Sequence, residues 1–247
     1  VVVANGCSDA TAERARTVPG VRVLERTEAS KVGALNAGDA ACENFPRVYL
    51  DGDVIIDAAA LRALAARLAG PDALVAAPRL HVELAGRPWS VRSWYRAFDA
   101  LPYAEKQLVG LGVYAISAAG RARFGPFPEV VADDLFVSRQ FADGERIVLA
   151  DHIFTVQAPR TLRSLIRVRT RVALGNRELA HPHAGSVKTE PNLSASTGST
   201  VRALATLCIR KPGTAPDAAI YVLVTALARW RARRSSTTTW LTDTSTR

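Results

Sequence analysis

Apolar and polar positions alternate between two rhythms over the first part of the chain. Short apolar runs at residues 1–4, 21–25, 47–50 and 73–77 are bounded by turn-forming residues and predict strands. Between them lie stretches with helical spacing: residues 9–17, then Ser30 to about Cys42, then an Ala-rich segment from Asp57 to Ala69. Ser30 and Asp57 stand where a side-chain oxygen caps a helix, and Gly70-Pro71 stops the third one. Asn5-Gly6 closes the first strand and Asp51-Gly52-Asp53 the third. This alternation predicts an α/β fold on a mostly parallel sheet flanked by helices.

The order changes after Pro78. Residues 89–105 read as an amphipathic segment with aromatic anchors, 110–117 as a strand, 124–128 as a turn, 133–141 as a helix and 147–150 as a short strand. Residues 161–179 form a basic helix with Leu162, Leu165, Ile166 and Val168 on one side. A polar stretch with Pro182 and Pro191, residues 181–200, reads as a linker. The apolar segments 201–209 and 218–228 are both well short of the ~20 residues that span a bilayer. The expected organisation is a body over residues 1–180, a linker over 181–200 and a basic helical tail over 201–247. The tail's second helix ends in Arg229-Trp230-Arg231-Ala232-Arg233-Arg234, which suits either a membrane interface or a helix docked on the body or a partner chain.

Composition narrows the classes. With 48% hydrophobic and 22% charged residues among 247, the chain is a folded one. Three scattered cysteines exclude a disulfide framework and point to a reducing compartment. The chain holds no Met and opens inside a strand, so a piece of a longer chain is expected. The net charge of +9 is unevenly placed: residues 160–247 carry 15 Lys+Arg against 4 Asp+Glu, leaving the first 159 close to neutral. A basic tail suits a phosphate-rich partner such as an anionic membrane face or a diphosphate ligand. Aromatic residues are 6% and do not interleave with the basic ones, so nucleic acid is not the expected partner.

Four groups of residues could carry chemistry. Asp51 and Asp53, two apart at a strand end, can meet a divalent cation and its bound phosphates, or form a plain Asp-Gly turn. Adjacent carboxylates at Asp133-Asp134 repel, which raises one toward the pKa of a useful base; they also suit a helix start. Lys31 near a helix start can meet a phosphate, and Asn36 and Gly38 are unusual choices for a purely structural helix. Arg167, Arg169 and Arg171 can hold phosphates or line a solvated face.

Taken in order, these pieces resemble the family 2 glycosyltransferases, inverting enzymes of the GT-A fold. Residues 1–11, VVVANGCSDAT, look like that family's second strand and its Ser/Thr-Asp turn, which would bring Asn5 and Asp9 to the donor. Residues 31–38, KVGALNAG, are similar to its Lys-x-x-Ala-Leu-Asn-x-Gly helix, with Lys31 and Asn36 at the donor. Asp51-Gly52-Asp53 matches the metal-binding Asp-x-Asp. Residues 110–127 resemble the acceptor-side segment, with Gly110, Gly112 and Phe127 as acceptor residues and Gly125-Pro126-Phe127 as its closing turn. Asp133-Asp134 falls where the family has Glu-Asp, whose second carboxylate is the catalytic base. Arg169 and Arg171 lie where membrane polysaccharide synthases carry Gln-x-x-Arg-Trp. Val172 replaces the Trp that holds a growing chain, which implies single addition. The family's first strand, with its Pro-x-x-Asn-Glu-like segment, has no counterpart in the chain, and Asn5 stands where a uracil-contacting Asp is frequent.

The resemblance implies transfer of one sugar from a nucleotide-sugar donor, a UDP-sugar first, to a saccharide or lipid-linked hydroxyl acceptor. Mn²⁺ or Mg²⁺ would be held by Asp53 and Asp51, Asp134 would be the base, and Asp133 would orient it. A cytoplasmic setting follows, peripheral on the inner membrane face, in cell-envelope polysaccharide or glycolipid synthesis. Two alternatives stay open: a catalytically silent GT-A-like binding module, and a sugar nucleotidyltransferase.

Overall fold

Both expected helix caps form. In the computed structural model, which describes residues 1–70, 72–101, 112–130, 132–178 and 197–234, the Ser30 hydroxyl accepts from Gly33 N–H at 2.9 Å and starts α2 (Lys31–Ala41). The Asp57 carboxylate accepts from Ala60 N–H at 2.6 Å and starts α3 (Ala58–Leu68). Each supplies an acceptor for a backbone donor that the helix itself leaves unpaired. Ahead of them lie β1 (Val2–Asn5), α1 (Thr11–Arg16) and β2 (Val23–Arg26), with β3 (Arg47–Leu50) and β4 (Val54–Ile56) between the two capped helices. After α3 come β5 (Val75–Glu83), α4 (Trp89–Asp99), β6 (Val113–Ile116), α5 (Ala118–Arg121), α6 (Asp133–Ser138), β7 (Arg146–Gln157) and α7 (Leu162–Glu178). The last described elements are α8 (Thr197–Arg210) and α9 (Ala215–Arg234).

The α/β class holds, with helices flanking the sheets, but the parallel pairing is narrower than expected. β1 and β2 form a parallel pair, and a five-stranded sheet runs β3-β6-β5-β7-β4. Within the larger sheet only β5 and β7 run parallel; β3/β6, β5/β6 and β4/β7 are antiparallel. All four residues of β6 are buried. A fully apolar run reports burial on both faces and carries no sign of which way its neighbours run. β4 was not expected at all: three residues at a sheet edge, one of them the exposed Ile55, leave too short a pattern to read.

Pro78 explains a second difference. The strand expected at residues 73–77 continues to Glu83, and the short one expected at 147–150 becomes the twelve-residue β7. Pairing shifts register between Pro78, opposite Leu149, and Arg79, opposite Ile153, so residues 150–152 bulge out. Proline has no N–H to give the ladder, and a bulge accommodates the missing bond.

α2 fastens the two sheets together. Val32, Leu35, Asn36 and Asp39 recur at helical spacing and face one way. Val32 and Leu35 pack with Tyr49, Tyr114, Ile116 and Phe127 against the larger sheet. Gly38 lies against Val3 of β1, where a Cβ would come within 3.3 Å of the Val3 methyl. Asp39 accepts from the Tyr49 hydroxyl at 2.6 Å, from Arg47 at 2.5 Å and from Arg121 at 2.8 Å.

α9 is docked on the body. Ala218, Tyr221, Val224, Ala228 and Ala232 are buried, and the helix packs on α4 and α7. Trp94 of α4 stacks between Phe98, with ring centroids 5.2 Å apart, and Tyr221, at 5.3 Å. Asp217 accepts two bonds from Arg96, at 2.7 and 2.8 Å. The expected linker and the end of the tail lie mostly outside the described residues.

Candidate functional site

The site forms where the C-terminal end of β3 meets the N-terminal ends of α2 and α6. Lys31, the first residue of α2, places its ammonium 3.1 Å from Asp51 Oδ1 and 3.0 Å from Asp133 Oδ1. One cation thus joins the Asp-x-Asp turn to the carboxylate pair, which lie some eighty positions apart in sequence. Burial works against the charge on Lys31, but Asp51, Asp133 and Asp134 outweigh it and hold the ammonium above its usual range. Lys31 is therefore a fixed positive charge at every working pH.

The two carboxylates of α6 are unlike each other. Asp133 is buried, with 3% of its surface exposed. Burial raises its pKa, Lys31 pulls it down, and Asp134 and Asp51 push it up again, to about 6. Asp134 is half-buried, and its Oδ1 accepts from Leu135 N–H at 2.6 Å. Burial raises Asp134 as well, against the attraction of Lys31, the Leu135 N–H and Arg171. Asp133 is held by Lys31 away from solvent, and Asp134 makes no ion pair of that kind among the described residues.

Two glycines set the approach of the surrounding segments. Gly112 has φ +103°, a region that strains any side chain, and a Cβ there would come within 2.7 Å of Val54. Its carbonyl accepts from Asp51 N–H at 2.8 Å. Gly112 therefore ties the segment expected to face the acceptor to the backbone of Asp51. Gly175, inside α7, faces Ala132, where a Cβ would come within 2.6 Å of the Ala132 side chain. Glycine inside a helix costs about 1 kcal/mol relative to Ala, and the return is close packing of α7 on the residue before Asp133.

The other expected residues divide. Arg171 lies within electrostatic reach of Asp134. Arg169 does not come to the carboxylates; its guanidinium sits 4.7 Å from the centroid of the Trp94 ring and 5.9 Å from that of Phe98. Asn36 spends both ends of its amide on the Phe127 backbone, at 2.8 and 3.0 Å, and Phe127 is buried at 2% exposure. These two form a clamp for the turn ahead of α6. The Asn5 side chain accepts from Ser30 N–H at 3.0 Å and fixes the entry of α2. Asp9 accepts from Thr11 N–H at 3.1 Å at the start of α1. Gly110 lies outside the described residues.

Asp53 is exposed and follows Asp51 in a turn closed by Val54 N–H to Asp51 O at 3.2 Å. Among the described residues no group of three or more His, Cys, Asp or Glu forms a metal cage. Two hard oxygen donors at a strand end, with no further side-chain ligand, fit a cation that takes its remaining ligands from phosphate and water. They do not fit a closed structural centre.

Sequence reasoning missed Tyr114. Its hydroxyl is buried without a hydrogen-bond partner. Burial first, then the nearby Asp133, Tyr49, Asp134 and Asp51, keep the phenol protonated well above its usual pKa. Strand alternation could have put Tyr114 on one face of β6, but not beside carboxylates from two other elements. A buried hydroxyl without a partner costs about 1–3 kcal/mol. A Tyr114→Phe variant is therefore expected to unfold at equal or higher urea concentration than the parent. A clear loss of stability would mean that the hydroxyl has a partner in solution.

No protein-family model matches the chain, and no curated protein matches it in sequence. Among solved structures it is similar to a mannosyltransferase from Pyrobaculum calidifontis in complex with GDP-mannose and Mn²⁺. The TM-score is 0.59 at 20% identity, over 94% of this chain and 72% of that one. A weaker likeness, with TM-score 0.49 at 19% identity over 78% and 72% of the two chains, is to glucosyl-3-phosphoglycerate synthase from Mycobacterium tuberculosis in complex with Mn²⁺, UDP-glucose and phosphoglyceric acid. The first likeness places the chain in the GT-A-type α/β fold.

Proposed function

We propose that this chain is a glycosyltransferase that moves one sugar from a nucleoside diphosphate sugar, a UDP-sugar first, to a hydroxyl acceptor with inversion at the anomeric carbon. The observation that carries the reading is Lys31, whose ammonium bridges Asp51 and Asp133 and so makes one site of the Asp-x-Asp turn and the carboxylate pair. A GT-A-type fold supports it, as does the GDP-mannose and Mn²⁺ in the similar mannosyltransferase complex. The family 2 assignment rests on the order of the sequence motifs. A saccharide or lipid-linked acceptor in cell-envelope polysaccharide or glycolipid synthesis fits the basic second half of the chain.

Asp53, with Asp51 beside it, would hold Mn²⁺ or Mg²⁺, which neutralises charge on a departing diphosphate. Lys31 and Arg171 add fixed positive charge on the same side, with no cost of reorganisation during the reaction. Asp134 takes the proton of the acceptor hydroxyl as its oxygen bonds to the anomeric carbon and the bond from that carbon to the diphosphate oxygen breaks. Asp133 pairs with Lys31 at 3.0 Å and holds that cation in place. Attack from the face opposite the diphosphate inverts the centre.

Calorimetric titration with UDP and GDP, with and without Mn²⁺, tests the donor site. Metal-dependent binding is expected in the parent, with a loss of at least tenfold in an Asp53→Ala variant. Equal binding with and without metal would remove Asp53 from the role given to it. An absence of binding to both nucleotides in Mn²⁺ would sink the donor site itself.

A further inference from the structure

The outward face of the C-terminal helices is apolar where a docked helix is normally polar. α9 buries Ala218, Tyr221, Val224, Ala228 and Ala232 on the body, yet Leu223 and Trp230 on its opposite side and Val222 on its flank are exposed at 65%, 48% and 47%. α8 adds two exposed apolar residues. Leu204 is buried, while Val201 and Ile209 are exposed at 57% and 81%. Leu204, Tyr221 and Val224 belong to one core cluster, so α8 and α9 are anchored on the same core. Five large apolar side chains exposed on these two helices are more than the single scattered residues of an ordinary surface.

Charge identifies what covers this patch. Residues 197–234 hold seven Lys or Arg and one acid, Asp217. Asp217 is already neutralised by Arg96, 2.7 Å away. Most of the basic residues lie near the helix ends: Arg210 at the end of α8 with Lys211 just after it, and Arg231, Arg233 and Arg234 in the last turns of α9. The Arg234 guanidinium lies over the Trp230 ring at 4.2 Å. A second copy of this face would bring like charges together, which opposes self-association. A nucleic acid has no use for exposed Leu223 and Ile209. An anionic bilayer uses both features: apolar side chains enter the acyl boundary, Trp sits at headgroup level, and Arg meets lipid phosphate. Among the described residues no helix is long and apolar enough to cross a membrane, so contact would be lateral.

We propose that α8 and α9 form a docking face for an anionic lipid bilayer, with Val222, Leu223, Trp230 and Ile209 inserted and the flanking arginines on the headgroups. The proposal does not depend on the donor site, and its test is separate. The full chain is floated with vesicles of phosphatidylcholine alone and of phosphatidylcholine mixed with phosphatidylglycerol, at low and high salt. Binding is expected to the mixed vesicles only and to weaken in high salt. An Arg210→Gln/Arg233→Gln variant is expected to lose about fivefold in affinity per arginine. A Val222→Ser/Leu223→Ser variant is expected to lose binding even at low salt. Both variants change exposed positions, so circular dichroism and nucleotide calorimetry should match the parent. Equal binding to both vesicle types, or binding to neither, overturns the proposal. So does a concentration-dependent dimer in sedimentation that Leu223→Ser abolishes, since the face would then belong to a second copy.

Discussion

An Asp134→Asn variant is expected to lose about 10²–10⁴-fold in turnover, the usual contribution of a positioned general base. Donor affinity should stay near that of the parent. Asn keeps the shape and can still accept from Leu135 N–H, which Asp134 does at 2.6 Å, so the start of α6 should survive. In the proposed mechanism, what the variant loses is the group that takes the acceptor's proton. Asp133 is a poor substitute, because it is buried and paired with Lys31 at 3.0 Å. The pH profile adds a second readout. Burial raises Asp134 above an ordinary carboxylate, so activity should fall on the acid side at a higher pH than an exposed Asp would give, and Asp134→Asn should abolish that limb. If donor binding collapses in the variant while the residual turnover keeps its acid limb, the base lies elsewhere.

The largest loss of stability is expected at Asp39, outside the reacting groups. Asp39 is the one anion among Arg47, Arg121 and the Tyr49 hydroxyl, and the side chains of all three ionised residues are 15% exposed or less. Removing one partner of a buried ionic group costs about 3–5 kcal/mol, because the charges left behind have no counterpart. Asp39→Ala is therefore expected to lower urea stability by about that amount, with Asp39→Asn retaining part of it. The sign with pH follows from the same contacts. Burial alone would raise the Asp39 pKa, but hydrogen bonds from Tyr49, Arg121 and Arg47 outweigh it and hold it below the usual value. The stability it contributes is thus fully present above about pH 4, the usual Asp value, and is lost as pH falls through its lowered native value. The variant should show a flatter acid unfolding profile. Donor binding should weaken as well, since Arg121 also donates to the Phe124 carbonyl at 2.6 Å and so steadies the segment leading to α6.

Several features of this protein are local and could be read without any coordinates. Ser30 and Asp57 cap helices because an oxygen side chain at that point satisfies donors two or three residues on, whatever the rest of the chain does. Arg47–Leu50 is a strand bounded as expected, and the motifs on α2, at the end of β3 and on α6 were all marked by residue type and spacing. The sequence by itself thus determined most of the elements, the α/β class and the motifs that hold Lys31, Asp51 and Asp133-Asp134. Only the tertiary structure decided which of these meet. Lys31 touches Asp51 and Asp133 because the fold brings the start of α2 to the end of β3 and the start of α6, a meeting that no local pattern encodes. It also decided the use of each polar group. Asn36 turned to Phe127, Arg169 to Trp94 and Asp39 to two arginines, because a buried donor or acceptor must be paired by whatever the fold brings within reach. Strand direction was decided the same way: a buried apolar run is equally stable beside a parallel or an antiparallel neighbour, and the path of the chain around the sheet makes the choice.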